Sequence, residues 1–452
     1  MLSKSTSYLL IVALLLISAC AKDEPITPDT DNSILITIAP EQTYQTMIGF
    51  GGSLSWYCDR ITKSPKQGEI MDLIINDLGL DVLRLKNWYY PADYPTNKSP
   101  DAMEVSWFLN HYEATNEIYD LAKARNPALR VLLSSWGPPS HLKSNGMLDY
   151  GTLKKQDGEF MYDEYATYWE DVLNHISFSP DYLSIQNEPT WVSDYETCEW
   201  RPTETDDFPG YDRAFDLVAE KLQAFSEPPV MLGPESANLS TEAFDHFAEA
   251  IKTHESLGAY GYHPYNFNDN SSLESIQNTL SDLGDNFADK PKIMTEYSGM
   301  NWINTARFIN SNLREANAAA YIYWTLAWAQ TDDAMIIVDE SGDYVITPFY
   351  HLLKHFAKYI DAGYQRVEVA ASDDRLDVTG FLNPAGDELT IITIQPEPDN
   401  LSVRFEVAGK ATTDMVSYQS FGDQMFRQFD TDPTAKLGLR SESVTTTVLQ
   451  IR

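Results

Sequence analysis

RVLLSSW at 130–136, EYATYWEDVLNH at 164–175 and YLSIQNE at 182–188 decide the fold: a short apolar run, a helix-like segment, then a second short apolar run. Such a unit pairs its two strands in parallel, with the helix crossing over between them. Outward from it the alternation recurs without a fixed sequence period. Further strand candidates are Met47–Ser53, Val82–Asn87, Val230–Glu235, Ala259–Tyr265, Lys292–Ser298 and Ala320–Leu326. Further helix-like segments are Gln67–Asp77, Trp107–Arg125, Tyr211–Ala224, Thr241–Glu255, Leu273–Leu283 and Asn304–Glu315. Eight strands, each followed by a helical segment, predict an α/β fold, a (β/α)8 TIM barrel. A doubly wound open sheet shares the alternation, because strand count alone does not close a sheet.

The alternation stops after the helical Tyr350–Ile360. From Val367 onward come short alternating runs at Arg375–Leu382, Glu388–Gln395, Leu401–Val407, Thr412–Ser417 and Ser443–Ile451, punctuated by Gly, Pro, Asn and Asp. That pattern predicts an appended antiparallel β-sandwich. Ser33–Ala39 reads as one more strand, ahead of the barrel and able to join the sandwich. The chain of 452 residues is 43% hydrophobic, enough for a large core. Its 67 acidic against 32 basic residues give a net charge of −35, which repels phosphate backbones and excludes nucleic acid as a partner.

The first 19 residues carry Lys4 and then the apolar run Tyr8–Ile17, too short to span a bilayer comfortably and of signal-peptide type. The run ends in ISAC at 17–20, which resembles a bacterial lipobox with Cys20 as the lipidated residue. AKDE at 21–24 resembles a signal that sends some lipoproteins to the outer surface. The expected organisation is therefore 1–19 signal peptide, 20–33 lipidated Cys and flexible tether, 34–45 N-terminal sandwich strand, 46–361 barrel and 362–452 sandwich. The expected location is the bacterial outer membrane, exposed at the cell surface and held there only through the Cys20 anchor. Cys58 and Cys198 remain, and a bridge between them is open outside the cytoplasm.

Reacting groups of such barrels sit at the C-terminal ends of strands. An apolar run cannot cheaply bury an Asn-Glu pair, so Asn187 and Glu188 must emerge where the fourth strand ends. The seventh, Lys292–Ser298, likewise closes on Glu296. Carboxylates on strands four and seven face each other across the barrel mouth and could supply a nucleophile and a general acid/base. Either Glu alone reads equally as a polar strand cap; the pair with Asn187 alongside does not. Carboxyl groups so placed should lie about 5–5.5 Å apart, the spacing for retention of configuration.

The chain resembles glycoside hydrolase family 30, most closely its bacterial glucuronoxylanase-like members. The resemblance rests on GFGG at 49–52, SSWGPP at 134–139, SIQNEP at 184–189, DYETCEW at 194–200, HPY at 263–265 and MTE at 294–296. YHLLKHFAKY at 350–359 and SVTTTVL at 443–449 add to it, over about residues 34–452. The resemblance implies Glu188 as acid/base, Glu296 as nucleophile and Asn187 as donor to the sugar 2-hydroxyl. It implies that Arg84 and Tyr265 keep the nucleophile ionised, though Arg84 reads also as a structural ion-pair partner. His263 would contact substrate or be a satisfied barrel histidine. Trp136 and Trp324 would stack sugars or pack the core, and Trp56, Trp88 and Trp200 fall on loops of the same face.

One stretch departs from the glucuronoxylanases. Where they carry basic residues that grip a glucuronate, this chain has AWAQTDD at 327–333, which repels a carboxylate ligand. GxSxG, HExxH and Walker motifs are absent, and neither cofactor nor metal is expected in the chemistry. The expectation is a monomeric retaining hydrolase of a β-linked plant polysaccharide, an endo-β-1,4-xylanase. The alternatives are another activity of the same family, β-1,6-glucanase or glucosylceramidase-like, and a non-catalytic glycan-binding lipoprotein.

Overall fold

A computed structural model describes residues 33–91, 105–329, 333–430 and 432–452, with side chains from residue 111 in the helix that begins at 105. The signal peptide, Cys20 and most of the tether lie outside the described residues.

The eight barrel strands are Gly49–Ser53, Val82–Lys86, Arg130–Ser134, Tyr182–Ser184, Val230–Ser236, Leu257–Tyr262, Lys292–Met294 and Ala318–Tyr323. All pair in parallel, and Tyr321 opposite Phe50 joins the last to the first, so the sheet is closed. That settles the choice between barrel and open sheet. Strand one runs tight against its neighbours: a Cβ on Gly51 would stand 2.4 Å from the Val82 carbonyl oxygen, and one on Gly52 2.4 Å from the Leu326 side chain. Glycine is what lets the backbones approach.

The strand pleat sorts side chains by period two. On strand two, Leu83 and Leu85 face the helical shell, while Val82 joins Leu132, Leu232, Ala259, Ile293, Ala320 and Ile322 in an apolar plug. Arg84 and Lys86, in step with Val82, are both buried above that plug. Charges enter the barrel because the pleat puts them there. The expected helices form, with two differences: Leu73–Asp77 and Thr241–Asp245 wind as π turns.

The second domain is one nine-stranded sheet of Ile34–Thr46, Gln365–Ala371, Asp377–Leu382, Glu388–Gln395, Leu401–Val407, Thr412–Phe421, Gln424–Asp430, Leu437–Leu439 and Ser443–Ile451. It curls so that Ile36, Val369, Ile391, Val403, Leu439 and Leu449 share one core, the sandwich expected from the pattern. One pairing differs from the antiparallel expectation: Ile34–Thr46 lies parallel to Leu401–Val407. A strand arriving from the chain's start is bound by no hairpin and can enter from either end. His355, buried on the helix Pro348–Ala357, meets Thr446 Oγ1 at 2.8 Å and Ser420 Oγ at 2.7 Å, joining the domains. Cys58 and Cys198 are both free and buried, so the bridge is not formed. No helix among the described residues is long and apolar enough to cross a membrane.

Candidate active site

Strands four and seven end at Ser184 and Met294, and the chain then turns out of the sheet carrying Asn187, Glu188 and Glu296. Glu188 adopts φ 50°, a left-handed backbone uncommon for a residue with a Cβ. Its amide donates to the Glu235 carbonyl at 2.9 Å, which holds that conformation. Such strain gathers where a side chain must be aimed.

Arg84 is the hub. Its Nη1 donates to Glu296 Oε2 at 2.5 Å, its Nη2 to Asn187 Oδ1 at 2.6 Å and its Nε to Glu235 Oε1 at 3.2 Å. Tyr265 donates its hydroxyl to Glu296 Oε1 at 3.0 Å. His263 Nδ1 meets Glu188 Oε1 at 3.0 Å, and its Nε2 lies 3.8 Å from Glu235 Oε1. An oxygen of Glu188, an oxygen of Glu296 and a ring nitrogen of His263 all fall within 4.8 Å of one another. Ligand types and spacing alone would admit a cation there. The Arg84 guanidinium already occupies the cationic position beside Glu296, so the donor set does not fit a metal.

These contacts set the charges. Burial and the facing Glu188 hold the Glu296 carboxyl above its ordinary value, against the pulls of His263 and Arg84. The net direction is thus opposite to that expected from Arg84 alone, because burial outweighs the guanidinium. For Glu235 burial also pushes upward, but Arg84 and His263 more than offset it and hold it well below the carboxylate range. Burial pulls His263 down, yet Glu296, Glu188 and Glu235 together raise it to about 9.

Above the carboxylates opens a cleft of about 530 Å³. Trp56, Tyr57, Trp136, Trp324 and Trp328 line one part of it, and Trp191, Tyr195 and Tyr265 complete the aromatic wall around Asn187, Glu188 and Glu296. Trp136 packs at 6.2 Å from Trp56 and 6.3 Å from Trp324, ring centre to ring centre, forming a continuous apolar surface. Faces of sugar rings pack on such surfaces while their hydroxyls reach polar atoms. Beneath it Lys86 Nζ lies 3.0 Å from the Trp88 ring centre and 2.9 Å from Glu196 Oε1, a buried cation that braces the floor and the Asp194–Trp200 loop.

The structure brings Glu188, Glu296, Asn187, Tyr265, Trp136 and Trp324 to the cleft. Arg84, expected among the substrate-binding residues as the group that keeps the nucleophile ionised or as an ion-pair partner, and His263, expected to contact substrate or to be a satisfied barrel histidine, are both 0% exposed and reach the cleft only through the carboxylates they hold. Their strands point them beneath the carboxylates, so they position rather than touch. Trp56 lines the cleft, while Trp88 sits in the floor and Trp200 is fully enclosed, its indole donating to Gln186 Oε1 at 3.2 Å. Contributors that escaped the sequence reading include Glu235, Tyr57, Trp191, Tyr195 and Trp328. Glu235 had a usable signal, since VMLGPE at 230–235 closes an apolar run on a carboxylate as the other two strands do. Trp191 and Tyr195 lie on a loop with no such pattern.

Fold and site together define a (β/α)8 barrel with a β-sandwich and a carboxylate pair in an aromatic cleft. No family model matches the chain. It is 23% identical over 416 residues to mouse lysosomal acid glucosylceramidase, covering 82% of this chain and 79% of that protein. A subfamily 8 xylanase of glycoside hydrolase family 30 from Clostridium acetobutylicum superposes with a TM-score of 0.71 at 21% identity, over 92% of this chain and 99% of that one. An endo-β-1,6-glucanase superposes at 0.68 with 14% identity, over 94% and 96%. The fold is that of the family 30 glycoside hydrolases, the family its sequence motifs resemble.

Proposed function

We propose that this protein is a retaining glycoside hydrolase acting on a neutral β-linked plant polysaccharide, most closely an endo-β-1,4-xylan. The observation that carries the reading is the Glu188–Glu296 pair, with carboxylate oxygens within 4.8 Å at the base of an aromatic cleft. Inverting enzymes hold their carboxyl groups about 6.5–9.5 Å apart to admit a water; this gap supports direct attack instead.

In the first displacement Glu296 Oε attacks the anomeric carbon as Glu188 delivers a proton to the leaving oxygen. In the second, Glu188 takes a proton from water, which displaces Glu296 and restores the β configuration. Asn187, oriented by Arg84, offers its amide nitrogen to the sugar 2-hydroxyl. Among the described residues lining the cleft there is no Lys or Arg, which favours neutral sugars over uronates. A binding lipoprotein would have no use for this matched pair with its buried cationic support. Likeness to the β-1,6-glucanase keeps that linkage as a second substrate to test.

The purified chain should release oligosaccharides from unsubstituted xylan at least as fast as from glucuronoxylan, with arabinoxylan and β-1,6-glucan as the other substrates. Proton NMR of the first-formed product should show the β anomer; an initial α signal overturns Glu296 as nucleophile. For location, we propose a lipid anchor at Cys20. Cys20→Ser should move the protein from the membrane to the soluble fraction with unchanged specific activity, and a soluble, unlipidated wild type sinks the idea.

A further inference from the structure

His263 is enclosed on three sides by carboxylates brought from three strands. Glu188 Oε1 stands 3.0 Å from Nδ1, Glu235 Oε1 stands 3.8 Å from Nε2, and Glu296 faces the ring across the site. All three acids are buried and His263 is 0% exposed, so solvent approaches the group only from the cleft side, past Glu188 and Glu296. In a low-dielectric enclosure, a ring among three acids is stable as the imidazolium, with both nitrogens donating. Glu235 touches neither the cleft nor Glu296. It spends its Oε1 on Arg84 Nε and on the approach to His263 Nε2, with the Ser184 hydroxyl also facing it. A buried carboxylate held between two cations and facing no substrate calls for a role.

From this geometry we infer that the proton for the leaving group is stored on His263 and relayed through Glu188, with Glu235 as the buried counter-charge that keeps it there. This rests on the proposed glycosidase reading and deepens it. As the glycosidic bond lengthens, Nδ1–H passes its proton to Glu188 Oε1, and the other Glu188 oxygen hands a proton to the departing oxygen. Glu296 meanwhile bonds the anomeric carbon. Glu188, which enters the step with a proton on that other oxygen, leaves it still the acid with its proton now on Oε1, and His263 ends the step neutral. In the second displacement Glu188 takes a proton from water and returns one to Nδ1, so the cycle closes without any other donor. His263 and Glu235 never touch the sugar: they are positioning residues that act through Glu188.

The ring's position near 9 agrees with this placement. The groups facing it are Glu188, Glu235, Glu296, Arg84 and Tyr265. Those facing Glu235 are Arg84, His263, Ser184 and Tyr211. Of the acids among these only Glu235 lies off the cleft, and because it also holds Arg84 Nε, its neutralisation is read through the ring's titration and the pH limb rather than through rate alone.

The test uses the full chain with nitrogen-labelled histidine. His263 should titrate near 9 in the wild type, and Glu235→Gln should move it down by about one unit or more. The alkaline limb of kcat/KM on polysaccharide should move with it. Hydrolysis of an aryl β-glycoside with an activated leaving group, which needs no proton, should keep its limb. Glu235→Asp, retaining the charge, should restore most of the wild-type profile, and it serves if Glu235→Gln does not fold. His263→Asn should lose about 10²–10⁴-fold on polysaccharide while sparing the aryl substrate. A ring that is neutral at pH 7 in the wild type overturns the inference. So does a folded Glu235→Gln whose ring titration and alkaline limb stay put, or an equal loss on both substrates in His263→Asn. If the wild type cleaves no β-glycoside, the functional reading and the relay fall with it, and the NMR arm then decides only whether Glu235 holds the charge.

Discussion

Glu296→Ala should abolish turnover of polysaccharide and of activated aryl glycosides alike. Removing the carboxylate leaves nothing within reach of the anomeric carbon to form the covalent intermediate, and an activated leaving group cannot compensate for a missing nucleophile. Glu188→Ala should behave differently. Loss of the proton donor should cost about 10²–10⁴-fold on polysaccharide, whose sugar leaving group is a poor one, and far less on an aryl glycoside that departs unprotonated. Because the second displacement still needs a base, the aryl substrate should show a burst of phenol followed by slow turnover. Azide, which needs no deprotonation, should accelerate that turnover and yield a β-glycosyl azide. Steady-state rates on the two substrates decide the roles. Equal losses in both variants, or rescue of Glu296→Ala by the activated substrate, would reverse or remove the assignment.

Much of this was legible in the sequence, and the reason is physical. The barrel strands are short apolar runs whose ends must expel polar residues, so Asn187, Glu188 and Glu296 announce themselves by breaking a pattern. Closure of the barrel was not legible, since it depends on Gly49–Gly52 fitting between Ala320–Tyr323 and Val82–Arg84, a matter of backbone approach rather than composition. The N-terminal strand was legible as a strand but not in its direction, because the alternation Ile34, Ile36, Ile38 serves parallel and antiparallel pairing equally. Arg84 was found with its partner, the nucleophile, but for His263 substrate contact and a place in the barrel interior could not be told apart. A one-dimensional pattern says that a side chain faces the barrel interior, not how deep it sits. Trp191, half exposed beside Glu188, was invisible for the opposite reason: loops carry no periodicity.

Arg84→Met should produce the largest loss of stability of any single substitution in the site. The three guanidinium nitrogens serve four buried partners, Glu296, Asn187, Glu235 and Ser134. Breaking such a set by removing one member leaves charge uncompensated and costs about 3–5 kcal/mol. The loss should depend on pH, and its sign follows from Glu235. In the wild type Arg84 and His263 hold Glu235 below its ordinary value, so its contribution to stability is present above the unfolded value, about 4.3, and is lost as pH falls through the depressed folded one. Without Arg84, burial again dominates and favours the protonated acid. The variant should therefore be most compromised at alkaline pH and recover toward the wild type as pH falls to about 4–5. Glu296, already held above its ordinary value by burial, should rise further, moving the acid limb of any residual activity upward. Arg84→Lys should rescue little, since one ammonium cannot reach all the acceptors that a planar fork spans. Urea unfolding of both variants at pH 5 and pH 8 gives the comparison. A deficit that is the same at both, or full rescue by lysine, would mean that Arg84 acts as a packing residue and that the charges beside it are balanced elsewhere.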